Sequence, residues 1–337
     1  MLQRKHGRKE RSDSLSVGSK EPLLKKRLKR LFLEKADIQK FSNLKEEICN
    51  EIGLWASLKL MFLDIYSGFY KNIISRFYHD NYFYVDLFAG SGIGKIEDMK
   101  DVFVFGSPLI VAKRDFTKMF LCEIDEKKCE ILIKRLLNFQ QRDKFEIYNT
   151  SCNMAVDQIV PKIKGGHSLI FIDPYGMEIN WHTMEKVLNV PNADIIFNFQ
   201  TANMARGIMH GEKLTQTSIN FFKDEKELEK VYKEGKLEHS IAERLLELYI
   251  HDIESVRATG YKKTIVKKLR IHKDNQFYYD LIFVVRETKS GNPWLLEIEK
   301  YTKQIEALDA KDVKNSIPVI KGNQSVLGGR TGQFKLS

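Results

Sequence analysis

The sequence has few of the features that mark secreted, metal-binding or membrane proteins. Its 337 residues include only four cysteines, Cys49, Cys122, Cys129 and Cys152, and no two of them have the C-x-x-C spacing of a zinc or iron–sulfur site. No apolar run approaches the ~20 residues needed to cross a bilayer. The N-terminus begins with charged residues instead of an apolar signal segment. We therefore expect a cytoplasmic protein with no metal site and no membrane association.

Acidic residues are scarce near the N-terminus. Residues 1–30 contain eleven Lys and Arg against three Asp and Glu, so +8 of the formal net charge of +10 lies there. A basic segment of this kind favours a polyanionic partner, of which nucleic acid is the usual one. We expect residues 1–40 to be a basic, partly disordered arm that contacts nucleic acid. A solvated leader without a specific partner would have the same composition.

The remaining chain has the patterns of a globular α/β domain. Short β-branched and aromatic runs alternate with helical patterns, which is typical of a parallel sheet with right-handed crossovers. The runs are Tyr82–Asp86, Thr117–Glu123, Phe145–Asn149, Ser168–Ile172 and Asp194–Phe199. Two further β-rich runs, 262–271 and 277–286, surround a polar turn and predict a hairpin. The sequence thus predicts a doubly wound seven-stranded sheet in which five parallel strands are closed by a C-terminal antiparallel hairpin.

The predicted α/β domain spans residues 41–310, with a helical insertion at about 201–250 and a flexible tail over 311–337. A basic amphipathic helix is predicted from Leu23 to Lys40. Ser107 followed by Pro108 is typical of a helix N-cap and first helical position. We interpret the segment over 95–105 that precedes them as a flap.

A glycine-rich turn follows the first predicted strand, which ends in Asp86. Gly90 and Gly92 allow positive φ and close approach of a ligand to the backbone. At the carboxyl end of the first strand, such a turn is typical of a nucleotide-binding crevice, although ordinary loops also use these residues. Glu123 ends the second strand, where an acid can accept both ribose hydroxyls, whereas Asp125 is better suited to capping a helix. Because the turn does not open a helix directly, an NAD or flavin site is disfavoured.

These residues resemble the motifs of class I S-adenosylmethionine-dependent methyltransferases, over roughly residues 80–290. In that class a D-x-F-x-G-x-G turn follows the first strand, an acid ends the second, and an Asp-Pro-aromatic segment follows the fourth. More narrowly, the chain resembles the three-Cys-motif partner (TcmP) family. The stretches that carry this resemblance are Trp55 and Lys59, 86–92, 106–109, 171–176 and 279–283.

The resemblance implies a site for S-adenosylmethionine. The residues that it places against the cofactor are Asp86, Phe88, Gly90, Gly92, Glu123, Ser151, Cys152 and Asn153. Asp86 would favour the cationic methionine portion, Glu123 would accept the ribose hydroxyls, and residues 151–153 would line the adenine slot.

Asp173, Pro174 and Tyr175 form the implied catalytic segment. In amino-methyltransferases the corresponding Asp and a proline carbonyl accept the N–H bonds of a planar amine, while the aromatic ring stacks on its base. With Gly176 next, the segment is similar to the Asp-Pro-Phe-Gly of tRNA guanine-N2 methyltransferases. A structural alternative is that Asp173 and Pro174 simply terminate the fourth strand.

We therefore predict a TcmP-like methyltransferase that acts on an amino nitrogen of a nucleic-acid base. The alternative is a non-catalytic protein of methyltransferase fold that works beside a separate three-Cys-motif protein. Two departures leave room for it. Ser91 stands where a proline is expected in the TcmP family, and Ser151 stands where many methyltransferases have Asp.

Overall fold

The computed structural model describes residues 23–34, 48–77, 81–97, 99–210, 213–235, 237–258, 263–272, 278–287, 291–308 and 310–317. Most of the predicted basic arm, 1–22 and 35–40, and most of the predicted tail, 318–337, therefore lie outside the described residues. Within the described residues, no helix is long and apolar enough to cross a membrane.

The helices are α1 (Leu23–Lys29), α2 (Ala56–Phe77), α3 (Ser107–Ala112), α4 (Glu126–Leu136), α5 (Cys152–Ile163), α6 (Trp181–Leu188), α7 (Thr201–Gly207), α8 (Gln216–Phe221), α9 (Glu225–Glu234), α10 (Glu238–Ala258), α11 (Pro293–Glu306) and α12 (Ala310–Asn315). The strands are β1 (Phe32–Glu34), β2 (Asn50–Ile52), β3 (Tyr82–Asp86), β4 (Ile93–Ile96), β5 (Val102–Phe105), β6 (Lys118–Glu123), β7 (Phe145–Asn149), β8 (His167–Ile172), β9 (Ala193–Phe199), β10 (Met209–His210), β11 (Lys213–Leu214), β12 (Thr264–His272) and β13 (Tyr278–Arg286).

The main sheet has seven strands in the order β12-β13-β9-β8-β3-β6-β7. Strands β7, β6, β3, β8 and β9 are parallel, whereas β13 is antiparallel to both of its neighbours. The predicted α/β fold of five parallel strands closed by a C-terminal hairpin is therefore confirmed. All five parallel strands end at the same edge of the sheet, which we call the carboxyl edge.

Both faces of the main sheet are covered by helices. Tyr84 of β3 faces a core that includes side chains of α2, α3 and α11. The next residue, Val85, faces a second core that includes side chains of α5, α6 and α10. Because successive strand residues point to opposite faces, a strand buried on both sides needs apolar residues at every position. This requirement explains the continuous apolar runs by which the parallel strands could be predicted.

The segment interpreted as a flap belongs to a second sheet of four strands, in the order β1-β5-β4-β2. β4 and β5 form an antiparallel hairpin, and every residue of β5 is buried. The interpretation is therefore corrected, because the apolar residues of this segment pack into the same core as α2 and α3.

The helix predicted from Leu23 to Lys40 is shorter than expected. It ends at Lys29, and Phe32–Glu34 instead forms β1, which pairs with β5. Leu24 and Leu28 are buried in the core. Pairing with a distant strand overrides the helical pattern here, since strand formation depends strongly on tertiary context. Residues 23–34 of the predicted arm are thus part of the folded domain.

Candidate active site

Two glycines hold the turn that follows β3. Gly90 and Gly92 have φ angles of +61° and +82°, which side-chain-bearing residues rarely adopt. Gly106 packs directly on Gly92. Its N–H donates to the Gly92 carbonyl at 2.8 Å, and a Cβ at Gly106 would lie 2.9 Å from the Gly92 carbonyl carbon. The base of the β4–β5 hairpin is therefore fixed against the turn, which stays at the carboxyl edge despite the insertion.

Asp86 is fully buried beneath this turn. Its carboxyl accepts hydrogen bonds from the Tyr84 hydroxyl at 2.9 Å and the Phe88 N–H at 3.2 Å. Burial raises the pKa of Asp86 to about 7, although hydrogen bonds from Ser107, Tyr84 and Phe88 act in the opposite direction. Ser107 was predicted to be the N-cap of α3, but the N-cap is Gly106. The Ser107 hydroxyl instead donates a hydrogen bond to the Asp86 carboxyl. Asp86 thus ties together β3, the turn and the start of α3.

Glu123 lies at the carboxyl edge at the end of β6, beside β3. One of its carboxylate oxygens accepts a hydrogen bond from the Asp125 N–H at 2.9 Å. The other oxygen has no hydrogen-bond partner among the described residues. Asp125 accepts from the Lys128 N–H at the start of α4, which confirms its predicted capping role. Glu123 therefore keeps an acceptor for a ligand, whereas Asp125 is used by the fold.

Residues 151–153 begin α5, where their polar groups serve the local structure. The Ser151 hydroxyl accepts from the Asn153 N–H at 3.2 Å. The Asn153 side chain donates to the Glu178 carbonyl at 2.8 Å and accepts from the Asn180 N–H at 2.9 Å. Cys152 is buried, and burial raises the pKa of its thiol to about 12. The structure places these residues next to the carboxyl edge, with their side chains engaged in the start of α5 and the loop after β8.

Asp173 directly follows β8 and lies between two buried donors. Its Oδ1 accepts from Lys59 Nζ at 2.6 Å and from Asn198 Nδ2 at 2.7 Å. Lys59 comes from the first turn of α2, and Asn198 comes from β9, the strand next to β8. Among the described residues, Oδ2 of Asp173 has no hydrogen-bond partner. The carboxylate is thus fixed in orientation with one oxygen left over.

Tyr175 is linked to the glycine turn through Asn50 of β2. Asn50 Nδ2 donates to the Tyr175 hydroxyl at 3.4 Å, and Asn50 Oδ1 accepts from the Ser91 N–H at 3.3 Å. A Cβ at Gly90 would collide with the Asn50 amide. The absence of a side chain at Gly90 therefore lets the Asn50 side chain pack against the backbone of the turn. Asn50 was not among the residues predicted from the sequence, because a three-residue strand leaves no periodic signal.

The polar groups of the carboxyl edge are close enough to influence one another. The pKa of Tyr175 is raised, because neighbouring groups partly desolvate its hydroxyl although the side chain as a whole is exposed, and the charges of Asp173 and Glu123 raise it further. The charge of Asp173 also raises the pKa of Asp86. Pro174, between Asp173 and the exposed Tyr175, is buried. The structure therefore brings Asp86, Glu123 and Asp173 to one edge of the sheet, beside the glycine turn.

Three large apolar side chains are exposed around this edge. Ile124, Met154 and Tyr175 are 72%, 65% and 67% exposed, and they follow β6, β7 and β8 respectively. Exposed apolar surface beside a few polar acceptors suits the faces of a heteroaromatic ring. Ile124 and Met154 were not among the site residues predicted from the sequence, although they directly follow two that were, Glu123 and Asn153.

No family model matches this chain, and no curated protein matches it in sequence. Solved structures with a similar fold include a Legionella pneumophila protein of the family DUF519, with 13% identity, a TM-score of 0.45, and coverage of 73% of this chain and 93% of that chain. An rRNA methylase from Streptococcus thermophilus has 11% identity and a TM-score of 0.36, over 66% of this chain and 94% of that chain. An O-methyltransferase from Bacillus cereus in complex with SAH has 12% identity and a TM-score of 0.36, over 75% of this chain and 96% of that chain. These similarities concern the overall fold, which here is defined by the order and directions of the chain's own strands.

Proposed function

We propose that this chain is an S-adenosylmethionine-dependent methyltransferase of the TcmP type that acts on an amino nitrogen of a nucleic-acid base. The observation that supports it best is the meeting of the glycine turn, Glu123 and the segment from Asp173 to Tyr175 at one carboxyl edge. In doubly wound sheets, ligands bind outside the carboxyl ends of the strands.

The residues at this edge fit S-adenosylmethionine. Glu123 has a carboxylate oxygen without a partner among the described residues, and a ribose offers two hydroxyl donors. Ile124 and Met154 offer exposed apolar surface to an adenine. Residues 86–94 contain no Lys or Arg that would attract a phosphate, and this cofactor has none. When bound, the cofactor supplies an electrophilic methyl group on a sulfonium cation.

Asp86 would act on the cationic methionine portion from beneath the turn. With a pKa of about 7, its carboxyl is only partly ionised at neutral pH. A cation bound nearby favours the ionised form and is in turn stabilised by it. The charge of Asp86 would therefore develop as the cofactor binds.

On the substrate side, Asp173 and Tyr175 would position the amine. Oδ2 of Asp173 can accept an N–H of the amine, while Lys59 and Asn198 hold the other oxygen in place. The exposed Tyr175 ring can stack on the base. A fixed carboxylate both aligns the nitrogen for in-line attack and stabilises the positive charge that develops on it.

The proposed nucleic-acid substrate would contact the chain in two places. Basic residues of the arm would neutralise phosphates, which contributes affinity without sequence information. A target base inside a duplex would have to be flipped out to reach Asp173.

The function is tested by calorimetry with S-adenosylmethionine and by transfer of a labelled methyl group to nucleic acid. We expect Asp173→Ala to abolish transfer and retain cofactor binding. Asp157→Ala is the matched control, because Asp157 is an exposed aspartate of α5 that pairs with Lys186. No binding heat and no thermal shift with the cofactor would refute the cofactor assignment. Undiminished transfer by Asp173→Ala would refute the role of Asp173.

The second candidate is a non-catalytic partner of a three-Cys-motif protein. The Asn50 side chain favours it, because this amide lies over Gly90 and contacts both Ser91 and Tyr175. The protein itself thus fills part of the edge that a cofactor would approach. Stable co-purification with a three-Cys-motif protein, together with no methyl transfer by the complex, would support this function over the enzymatic one.

A further inference from the structure

The Lys59 ammonium lies in a nearly buried position with few partners. One of its three N–H groups donates to Asp173, and its side chain is only 11% exposed. The Tyr279 ring centroid lies 5.7 Å from Nζ, so one side of the ammonium packs against an aromatic face. Among the described residues, Asp173 is the only hydrogen-bond partner of the Lys59 ammonium. A buried ammonium is costly to leave unsatisfied, so this position favours a ligand that brings an acceptor.

Acceptors without partners lie beside this donor. Asn198 is fully buried, and its Oδ1 has no hydrogen-bond partner among the described residues. Oδ2 of Asp173 likewise has no hydrogen-bond partner among the described residues. The Lys59 and Asn198 side chains both donate to Oδ1 of Asp173, so the three side chains form one hydrogen-bonded cluster. A ligand that completes the cluster must therefore present a donor next to an acceptor.

We infer that the carboxyl edge takes a base whose amino group adjoins an unprotonated ring nitrogen on its Watson–Crick edge, namely adenine or cytosine, and that Lys59 donates to that ring nitrogen. The inference rests on the proposed function. Adenine has its N6 amino group beside N1, and cytosine has its N4 amino group beside N3, so both offer the required edge. On the Watson–Crick edge of guanine the N2 amino group adjoins an N1–H donor, which would face the Lys59 ammonium. The acceptor on the other side of N2 is N3, which lies next to the sugar-bearing N9 and outside the Watson–Crick edge. Lys59 is thus a specificity residue, and Asp173 binds the amino group.

The base preference is tested with three sets of random-sequence single strands, made both as RNA and as DNA. In each set uracil or thymine, which lack an exocyclic amine, is mixed with one amino base: adenine, cytosine or guanine. We expect labelled methyl groups on the adenine or the cytosine set and none on the guanine set. Transfer to guanine alone would overturn this inference and leave the proposed function standing. Transfer to no set by cofactor-bound protein would overturn the proposed function, and the inference with it.

The role of Lys59 is tested by removing the ring acceptor from the substrate. With 1-deazaadenine or 3-deazacytosine in the active set, wild-type kcat/KM should fall about 10- to 100-fold, the range for a hydrogen bond to a charged group. Lys59→Met, checked for retained cofactor binding, should show no further loss on the deaza substrate. Lys118→Met, which removes a lysine paired with Glu146 at 3.1 Å, should keep the wild-type penalty. No deaza penalty in wild type, or an equal penalty in Lys59→Met, would overturn the role of Lys59.

Discussion

The buried carboxyl of Asp86 should give the protein a measurable pH dependence of stability. Burial raises its pKa from 3.8 to about 7 in the folded protein. Between these values the folded state holds a proton that the unfolded chain has lost. The resulting stability is fully present below the unfolded pKa and is lost as the pH rises through about 7. From pH 5.5 to pH 8, this single group should lower the free energy of unfolding by about 2 kcal/mol.

Asp86→Asn removes this titration and closely matches the shape of the protonated carboxyl. The Phe88 N–H and the Tyr84 hydroxyl donate to different oxygens of Asp86, so the amide oxygen can accept from Phe88 while the amide nitrogen donates to the Tyr84 hydroxyl. The free energy of unfolding, measured by urea unfolding, should fall less from pH 5.5 to pH 8 in the variant than in wild type. The two falls should differ by about 2 kcal/mol. Asp194→Asn provides a second case, because burial also raises the pKa of Asp194 to about 7. Equal pH dependence in wild type and Asp86→Asn would refute the reasoning.

Three further predictions concern the fold and the arm. Gly106→Ala should destabilise the protein by about 1–3 kcal/mol, because the new methyl group would press on the backbone of the glycine turn. In the same urea assay Gly165→Ala should cost less, since a Cβ there meets nothing within 4 Å. Leu28→Ala should cost about 2–5 kcal/mol by leaving a cavity, whereas the exposed Leu23→Ala should cost little, and equal costs would contradict the packing of α1. Deleting residues 1–22 should weaken nucleic-acid binding and flatten its salt dependence, so an unaltered salt slope would make the arm a passive leader.

The sequence was sufficient for the features that depend on local pattern. Strands buried on both faces are apolar at nearly every position, which is why Tyr82–Asp86 could be predicted at its observed bounds. The edge strand Phe145–Asn149 was also predicted at its observed bounds, although only Phe145 of it is buried. Asp125 could be predicted as a cap because its spacing from the helix start is a local property. The positions of Asp86 and Glu123 at one edge follow from the parallel strand order that these patterns imply.

The sequence was not sufficient where a distant segment decides the structure. Lys59 and Asp173 are 114 residues apart, and no pattern in either neighbourhood indicates that they pair. Asn50 lies on a three-residue strand whose partner, β4, runs into the segment interpreted as a flap. The end of α1 is likewise set by the pairing of β1 with β5. In each case the missing information is a tertiary contact, which propensity and periodicity do not encode.

The contact between Gly92 and Gly106 also makes the far end of the β4–β5 hairpin useful for engineering. Since both ends of the hairpin are joined at its base, changes in length at the turn between Ile96 and Val102 should remain local. Lengthening a flexible loop is cheap, at roughly 0.6 kcal/mol for each doubling. A fluorophore or an epitope grafted there would let the protein be tracked or immobilised while the carboxyl edge keeps its shape.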